Sequence, residues 1–281
     1  MTALTVIDRR DTTGAVQDAP SRPPTPREAA SLILVRDVPD GLEVLLLQRH
    51  PESRFSPGAY AFLGGRVELS DAAADMEARC RGLTRAEAAR HLPGVEPPER
   101  AIAFWVAALR EAFEEAGILL AYRLDQEPVS AASLAQARAC RAECRQDSAL
   151  FGRLLADLGL TLATDRTAYW AHWITPEERP IRYDTRFFVA PAWPGQVPES
   201  DGVEMVAARW MRPEEALASH RDRALVLPLP TQGILTSLAE HRDAEALLQA
   251  ARGREVRPVR PRIVRNAGGE RVLLPHDPGW F

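Results

Sequence analysis

Hydrophobic residues in the first part of the chain fall in short runs that turn residues separate. Residues 29–37 (AASLILVRD) and 42–50 (LEVLLLQRH) each contain an apolar run, and VPDG between them is typical of a turn. These two segments predict an antiparallel β-hairpin. Further strand-like runs lie at 169–176 (YWAHWITP), 184–193 (DTRFFVAPAW) and 203–211 (VEMVAARWM).

The clearest helical pattern covers residues 99–116. Prolines precede this segment, Glu99 falls in its first turn, and Gly117 suits the position just after a helix end. A second helical region, rich in Ala, Leu and Arg, covers 130–158. Shorter helices are predicted at 212–220, where Pro213 opens the helix, and at 231–241.

Strands before, between and after these helices predict a mixed α/β (α+β) fold with a largely antiparallel sheet. Residues 1–28 end in the proline-rich APSRPPTPRE and are expected to form a flexible lead-in. We expect a single domain over 29–281, with helical insertions at about 72–98 and 130–158. A C-terminal extension begins at about 221, and its NAGG sequence predicts a terminal hairpin.

Charge and composition narrow the classes of partner. The 281-residue chain has a net charge of −4, which argues against a broad nucleic-acid-binding surface. All 35 basic residues are arginine, and since arginine codons are GC-rich, a GC-rich bacterial genome is expected.

Cysteine usage and hydrophobicity indicate a cytoplasmic protein. Three cysteines without a CxxC pair favour reduced thiols over a disulfide framework. Cys140 and Cys144 lie one helical turn apart, but with no histidine nearby they are expected to be buried thiols rather than metal ligands. No apolar run reaches about 18 residues, so no membrane span is expected, and the start of the chain lacks a signal pattern.

The end of the predicted helix 99–116 carries an unusual charge cluster, REAFEEAG. Glu111, Glu114 and Glu115 are neighbours on one face, and like charges at these spacings repel each other. The C-terminus of a helix also carries about −0.5 charge, which disfavours acids there. A solvated acidic face is one interpretation. A divalent-cation site is the other, because Mg²⁺ and Mn²⁺ prefer carboxylate oxygen.

The loop GGRVELSD at 64–71, together with this helix end, resembles the signature of the Nudix hydrolases, G-x5-E-x7-R-E-U-x-E-E-x-G-U, where U is aliphatic. Gly65 matches the opening glycine, and residues 110–118 match the second half. Asp71 stands where the family has glutamate, Ala112 replaces a larger aliphatic residue, and the x7 spacer is 38 residues long. A long insertion is tolerated where the ends of a loop stay close together.

The resemblance implies the Nudix α/β/α sandwich and the hydrolysis of a diphosphate by water with the help of Mg²⁺ or Mn²⁺. It also implies a metal-binding set consisting of Glu111, Glu115, Glu114 (directly or through water) and the Gly65 carbonyl. The resemblance further implies that Arg110 pairs with Asp71 and braces the signature segment, here called the box, whose backbone Gly64 and Gly117 shape. The general base is expected to be either Glu114 or Glu204.

The long spacer and the segments around it resemble one branch of the family, the acyl-coenzyme A diphosphatases. These segments are RHPESRFSPGAYAFLGGRVELSD, LPLPTQGILTSLAEH and LPHDPGW. The branch implies CoA or acyl-CoA as substrate, with (acyl-)4′-phosphopantetheine and adenosine 3′,5′-bisphosphate as products. Arg49 and Arg54 are candidate phosphate ligands.

Several alternatives stay open at this point. Trp170, Trp173 and Phe187 could stack on adenine or line an acyl channel, although core packing is the expected role of each. Another diphosphate, such as a nucleotide sugar, a dinucleotide or NADH, is the alternative substrate, and a non-catalytic Nudix-fold sensor is the alternative class. Many Nudix enzymes dimerise, so a homodimer is compatible with the resemblance. The ending Trp280-Phe281 carries no peroxisomal signal, in keeping with a cytoplasmic protein.

Overall fold

The computed structural model describes residues 23–53, 55–266, 269–275 and 277–278. Its strands are β1 (Arg27–Val38), β2 (Gly41–Arg49), β3 (Tyr60–Ala61), β4 (Leu63–Arg66), β5 (Ala121–Tyr122), β6 (Thr161–Leu162), β7 (Ala168–Ile174), β8 (Tyr183–Pro191), β9 (Met205–Met211), β10 (Pro258–Val259), β11 (Arg262–Asn266) and β12 (Gly269–Leu273). Its α-helices are α1 (Arg85–His91), α2 (Ile102–Ala116), α3 (Ala131–Ala139), α4 (Arg141–Gln146), α5 (Ala149–Asp157), α6 (Pro213–Arg221), α7 (Leu229–Leu238) and α8 (Ala244–Arg252). Short 3₁₀ turns lie at Leu69–Ala72, Glu77–Arg79, Pro98–Ala101 and Thr164–Arg166.

A large mixed sheet forms the centre of the molecule. Its strands run in the order β10-β7-β8-β1-β2-β3, with β4 paired to β1 and β9 paired to β2. The β1–β8 and β7–β10 pairs are parallel, and the other pairs of this sheet are antiparallel. The predicted mixed, largely antiparallel sheet is therefore confirmed, as is the β1–β2 hairpin.

Both faces of the sheet are covered, which explains the continuous apolar runs of the two central strands. In β1, Leu32 and Leu34 pack on the side of α2, whereas Ile33 and Val35 pack on the opposite side. That second side is covered by residues of α6, α7 and α8. A strand that is buried on both faces needs apolar residues at successive positions rather than alternating ones. The result is the expected α/β/α sandwich.

Several predicted boundaries require correction. The helix predicted from residue 99 begins as a 3₁₀ turn at Pro98–Ala101, and α2 starts only at Ile102. The flexible lead-in was expected to reach residue 28, but Arg27 already opens β1 and donates its N–H to the Arg182 carbonyl. The rest of that expectation, residues 1–22, lies outside the described residues. The strand predicted from 203 begins at Met205.

The helical segments hold further detail that the hydrophobic pattern did not reveal. The region 130–158 breaks into α3, α4 and α5. Helix α8 was not predicted, although Asp243 caps it and its buried positions 244, 247, 248 and 251 follow helical spacing. The tail forms the predicted antiparallel hairpin β11–β12, whose turn residues 267–268 lie outside the described residues. No helix in the described part of the chain is both long and apolar enough to cross a membrane.

Candidate active site

The acidic end of α2 lies inside the molecule rather than on its surface. Glu114 and Glu115 are only 5% and 3% exposed, so the interpretation as a solvated face is wrong. Gly117 ends the helix with φ of +64° and donates its N–H to the Phe113 carbonyl. This left-handed conformation favours glycine. The chain therefore places buried carboxylates at a helix terminus that is already negative.

Arg110 is the centre of a buried network beside these acids. Its Nε and Nη2 donate to the two oxygens of Asp71, at 2.9 and 3.1 Å. Nη2 also donates to the Arg66 carbonyl at 2.9 Å, and Nη1 donates to Glu111 and Glu114 at 2.8 and 3.0 Å. These five bonds match the five donors of a guanidinium. Asp71, shorter than the family's glutamate, therefore reaches Arg110 and fixes the loop against the helix.

The two glycines of the loop let strand β4 approach the acids closely. The Gly64 N–H donates to Glu115 Oε2 at 2.8 Å. A Cβ atom at Gly65 would lie 2.3 Å from Glu111 Oε1, well inside van der Waals contact. A Cβ atom at Gly64 would lie 2.6 Å from the Ala30 carbonyl oxygen, so both positions require glycine on steric grounds, and each glycine lies against a different glutamate.

Burial sets the electrostatics of the three glutamates. It raises the pKa of Glu114 to about 7, an effect that the charge of Arg110 only partly offsets. Burial, followed by the repulsion from Glu111, raises the pKa of Glu115 well above its ordinary value. Burial also raises the pKa of Glu111. The three carboxylates are thus poorly compensated when ionised, and a bound cation would relieve that cost.

The residues present fit a hard divalent cation. Glu114 Oε1 is buried and has no hydrogen-bond partner among the described residues, and carboxylate oxygens are the donors that Mg²⁺ and Mn²⁺ prefer. Within the described part of the chain, no three acidic, histidine or cysteine side chains are grouped as closely as metal ligands would be. Arg110 and Gly64 hold the glutamates by hydrogen bonds instead.

A cavity of about 1010 Å³ opens beside the acids. Its polar side includes Glu111, Glu114, Glu115, Glu204 and Arg49. Its apolar side comes from the residue between β3 and β4, from β7 and β8, from the start of α7 with the segment just before it, and from the tail hairpin. The residues are Phe62, Trp173, Phe187, Leu227, Leu229 and Val272. The cavity lies at the upper end of the volumes typical of small-molecule sites, about 300–1,000 Å³.

The remaining residues that the sequence suggested for substrate binding have different positions in the structure. Trp173 and Phe187 line the cavity, whereas Trp170 is a core residue that donates to Ser237. Arg49 lines the cavity too, but its Nε donates to the Phe55 carbonyl at 3.0 Å, so part of its role is to hold the loop that follows β2. Arg54 lies outside the described residues.

Sequence reasoning missed the residues that the helical segment 130–158 and the loop before β9 bring to the cavity wall. Arg145 lines the cavity from α4 and donates to Asp201 at 2.8 Å. The only local signal was the turn sequence ESDG around Asp201. Nothing in the sequence pairs it with an arginine 56 residues earlier.

An α/β/α sandwich whose central helix ends in a buried Arg-Glu-x-x-Glu-Glu cluster against a Gly-Gly strand defines the Nudix hydrolase class, whose members generally use divalent metal ions. Residues 24–235 match the family described as the NUDT19 Nudix domain. This is more than half of the chain, and the chain belongs to that family. The Nudix resemblance drawn from the split box is thereby confirmed.

Individual proteins agree with this assignment. The human acyl-coenzyme A diphosphatase NUDT19 is 32% identical over 92% of this chain and 74% of its own length. The Gallus gallus protein of the same name is 30% identical over 73% of this chain and 65% of its own length. Among solved structures, a Nudix hydrolase from Alicyclobacillus acidocaldarius has a TM-score of 0.64 and 28% identity, over 80% of this chain and 96% of that chain.

Proposed function

We propose that this Nudix hydrolase cleaves the diphosphate linkage of CoA or acyl-CoA in a reaction that depends on Mg²⁺ or Mn²⁺. The products would be adenosine 3′,5′-bisphosphate and (acyl-)4′-phosphopantetheine. The observation that carries the proposal is the single cavity in which the acidic cluster and an extended apolar wall meet. A CoA thioester combines an anionic diphosphate with a long, weakly polar arm, so it needs both surfaces at once. The names of the human and Gallus gallus relatives support the same substrate class.

The metal-binding residues would be Glu111, Glu115, Glu114 and the carbonyl of Gly65. A divalent ion supplies charge neutralisation for the diphosphate and lowers the pKa of the attacking water. The chain's own contribution is rigidity. The Arg110–Asp71 network holds β4 and α2 together, so the ligands need little reorganisation when substrate binds.

The reaction is a displacement at phosphorus. The oxygen of water forms a new P–O bond, the bridging P–O bond breaks, and the leaving phosphate takes the electron pair. The proton of the water passes to a carboxylate. Two residues can accept it: Glu114, whose pKa of about 7 suits a base near neutral pH, and Glu204, which faces the cavity from the loop before β9.

Residues that line the same cavity are suited to positioning the substrate. Arg49 lines the cavity, and a guanidinium is suited to a phosphate group. The aromatic surfaces of Trp173 and Phe187 are suited to the apolar arm of the substrate or to a base. The homodimer, the absence of a nucleic-acid partner, the cytoplasmic location and the bacterial source stay predictions.

The deciding experiment is a substrate panel of CoA, acyl-CoAs, ADP-ribose, NADH and Ap4A, with Mg²⁺ or Mn²⁺ and with EDTA as control. We expect turnover of CoA compounds and the product masses of adenosine 3′,5′-bisphosphate and (acyl-)4′-phosphopantetheine. Turnover of another diphosphate alone would contradict the CoA assignment. Binding without turnover of any diphosphate would favour the sensor alternative.

The same assay tests the role of the acids. Glu115→Gln keeps a side-chain oxygen that can accept the Gly64 N–H but removes the negative charge. We expect kcat to fall by about 10²–10³-fold, with an unchanged circular dichroism spectrum. Near-normal turnover in this folded variant would remove Glu115 from the site.

A further inference from the structure

The loop before β9 is organised around one buried carboxylate, that of Asp201. The side chain of Asp201 is 1% exposed. Its Oδ1 accepts the backbone N–H groups of Val203, Glu204 and Met205, at 3.0, 3.0 and 2.9 Å. Its Oδ2 accepts Nη1 of Arg145 at 2.8 Å. Four donors thus converge on one carboxylate, and three of them belong to consecutive residues of the chain.

The segment that Asp201 holds carries Glu204. The Glu204 side chain faces the cavity, and its charge contributes to the raised pKa values of Glu111 and Glu115, so it lies near them. No hydrogen bond from the described residues reaches the Glu204 carboxylate. Its direction is therefore set by its backbone, which is held by Asp201 on one side and by the bond from the His50 N–H to the Glu204 carbonyl, at 2.8 Å, on the other.

Arg145 connects this loop to the helical segment 130–158. It lies near the end of α4 and lines the cavity together with residues 146–148. The Arg145–Asp201 ion pair is largely buried, so it is less screened by solvent than a surface pair. The Arg145–Asp201 ion pair thus links the part of the cavity wall formed by α4 to the loop that carries Glu204.

We propose that Asp201 is a positioning residue of this enzyme, which fixes Glu204 toward the reacting phosphate and is itself held by Arg145. The inference rests on the proposed function and takes Glu204, one of its two candidate bases, as the group that accepts the proton of water. A carboxylate that binds three successive amides specifies the backbone of a base to within the fraction of an ångström that proton transfer requires.

The chain supplies a matched control. Arg138 and Glu199 form a second ion pair between the same helical segment and the same loop, at 2.9 Å, but Glu199 is 60% exposed and contacts none of the amides of 203–205. Glu199→Gln removes one inter-segment ion pair without touching the Asp201 network. Glu204→Gln reports the effect of losing the base itself.

The test measures kcat and KM for the substrate that the panel identifies, in four variants, together with amide exchange at 203–205. We expect Asp201→Ala and Glu204→Gln each to lower kcat by about 10–100-fold with less than about a threefold change in KM. Asp201→Asn, which keeps an oxygen for the three amides, should recover most of the loss. Glu199→Gln should stay within about twofold of the wild type. Amide exchange at 203–205 should accelerate in Asp201→Ala alone.

Two results would overturn the proposal. One is an Asp201→Ala variant, folded by circular dichroism, whose kcat stays within about twofold while Glu204→Gln is impaired. The other is a fully active Glu204→Gln variant. Failure of the proposed function looks different, because the wild type would then turn over no diphosphate. In that case amide exchange still tests whether Asp201 fixes the backbone of residues 203–205. Unchanged exchange in Asp201→Ala would refute this role. Accelerated exchange would confirm it, and Glu204 would have no catalytic role.

Discussion

At the scale of single residues, Glu114 combines a buried position, one unpartnered oxygen and a pKa raised to about 7. A group with these properties binds its proton more tightly in the folded chain than in the unfolded one. Its contribution to stability is therefore fully present below its unfolded pKa, near 4.5, and is lost as the pH rises through about 7.

We accordingly predict that the free energy of unfolding of the metal-free protein falls between about pH 4.5 and pH 7, and that Glu114→Gln flattens this fall by up to about 3 kcal/mol. The measurement is urea unfolding in EDTA across that pH range. Surface acids are shared by both proteins, so their contribution cancels in the comparison. Identical pH profiles for the wild type and the variant would contradict the raised pKa.

Gly65 gives a second prediction at this scale. An alanine Cβ there would lie 2.3 Å from the Glu111 carboxylate, whose flexible end can move away. We expect Gly65→Ala to fold but to lose at least about tenfold in kcat, because Glu111 would be displaced from the proposed metal-binding set. Gly253→Ala is the control, since nothing lies within 4 Å of a Cβ at that position. Wild-type activity in Gly65→Ala would show that Glu111 has no fixed place in the site.

At the scale of elements, helix α7, whose first turn lines the cavity, contains a glycine beside Trp173 of β7. A Cβ at Gly233 would lie 2.8 Å from Cζ2 of Trp173, so only glycine lets the indole pack against the helix backbone. Glycine inside a helix costs about 1 kcal/mol relative to alanine. This cost accompanies the close packing of Trp173, an aromatic side chain that lines the cavity.

This contact predicts opposite outcomes for two similar substitutions. Gly233→Ala should destabilise the protein by about 1–3 kcal/mol, since a buried indole cannot retreat easily. Gly152→Ala in α5, which would meet only the flexible sulfur of Met76 at 3.3 Å, should be neutral or stabilising by up to about 1 kcal/mol. Chemical denaturation decides between them. Equal effects of the two would refute the steric account, and Trp173→Phe should partly rescue Gly233→Ala.

At the scale of the whole molecule, the acidic cluster joins parts of the chain that are distant in sequence. Strand β4, helix α2 and the 3₁₀ turn at Leu69–Ala72 meet at Arg110, and the loop before β9 reaches the same cavity. A cation held by Glu111, Glu114 and Glu115 should therefore stabilise the global fold and not only one helix end.

We predict that millimolar MgCl₂ raises Tm relative to EDTA, and that the rise is larger at about pH 8 than at about pH 5.5. The reason is that protons compete with the metal for carboxylates whose pKa values are raised. Differential scanning fluorimetry measures this, with Glu115→Gln as the variant that should lose most of the response. A Tm that is indifferent to MgCl₂ at both pH values would exclude a metal site at the end of α2.

The long strands of the central sheet (β1, β2, β7, β8 and β9) and helix α2 could be anticipated from the sequence, because each leaves a local pattern. The pairing of Asp71 with Arg110, 39 residues apart, was anticipated from the family resemblance. Continuous apolar runs mark strands that are buried on two faces, and the split box keeps its arginine, its three glutamates and its two glycines despite a 38-residue spacer. The split of 130–158 into three helices left a weaker trace, since turns inside an alanine-rich stretch change the composition little.

What the sequence by itself determined was therefore the class of protein and the residue types of its box. Tertiary structure alone decided how those residues are placed and buried. Glu114 and Glu115 become buried only when other elements pack over α2, and this packing, not their residue type, raises their pKa values. It also decided that Asp201 meets Arg145 and that an apolar wall, part of which comes from the C-terminal extension, shares a cavity with the acids. Burial and long-range contacts arise from the whole fold, so no local pattern of residues encodes them.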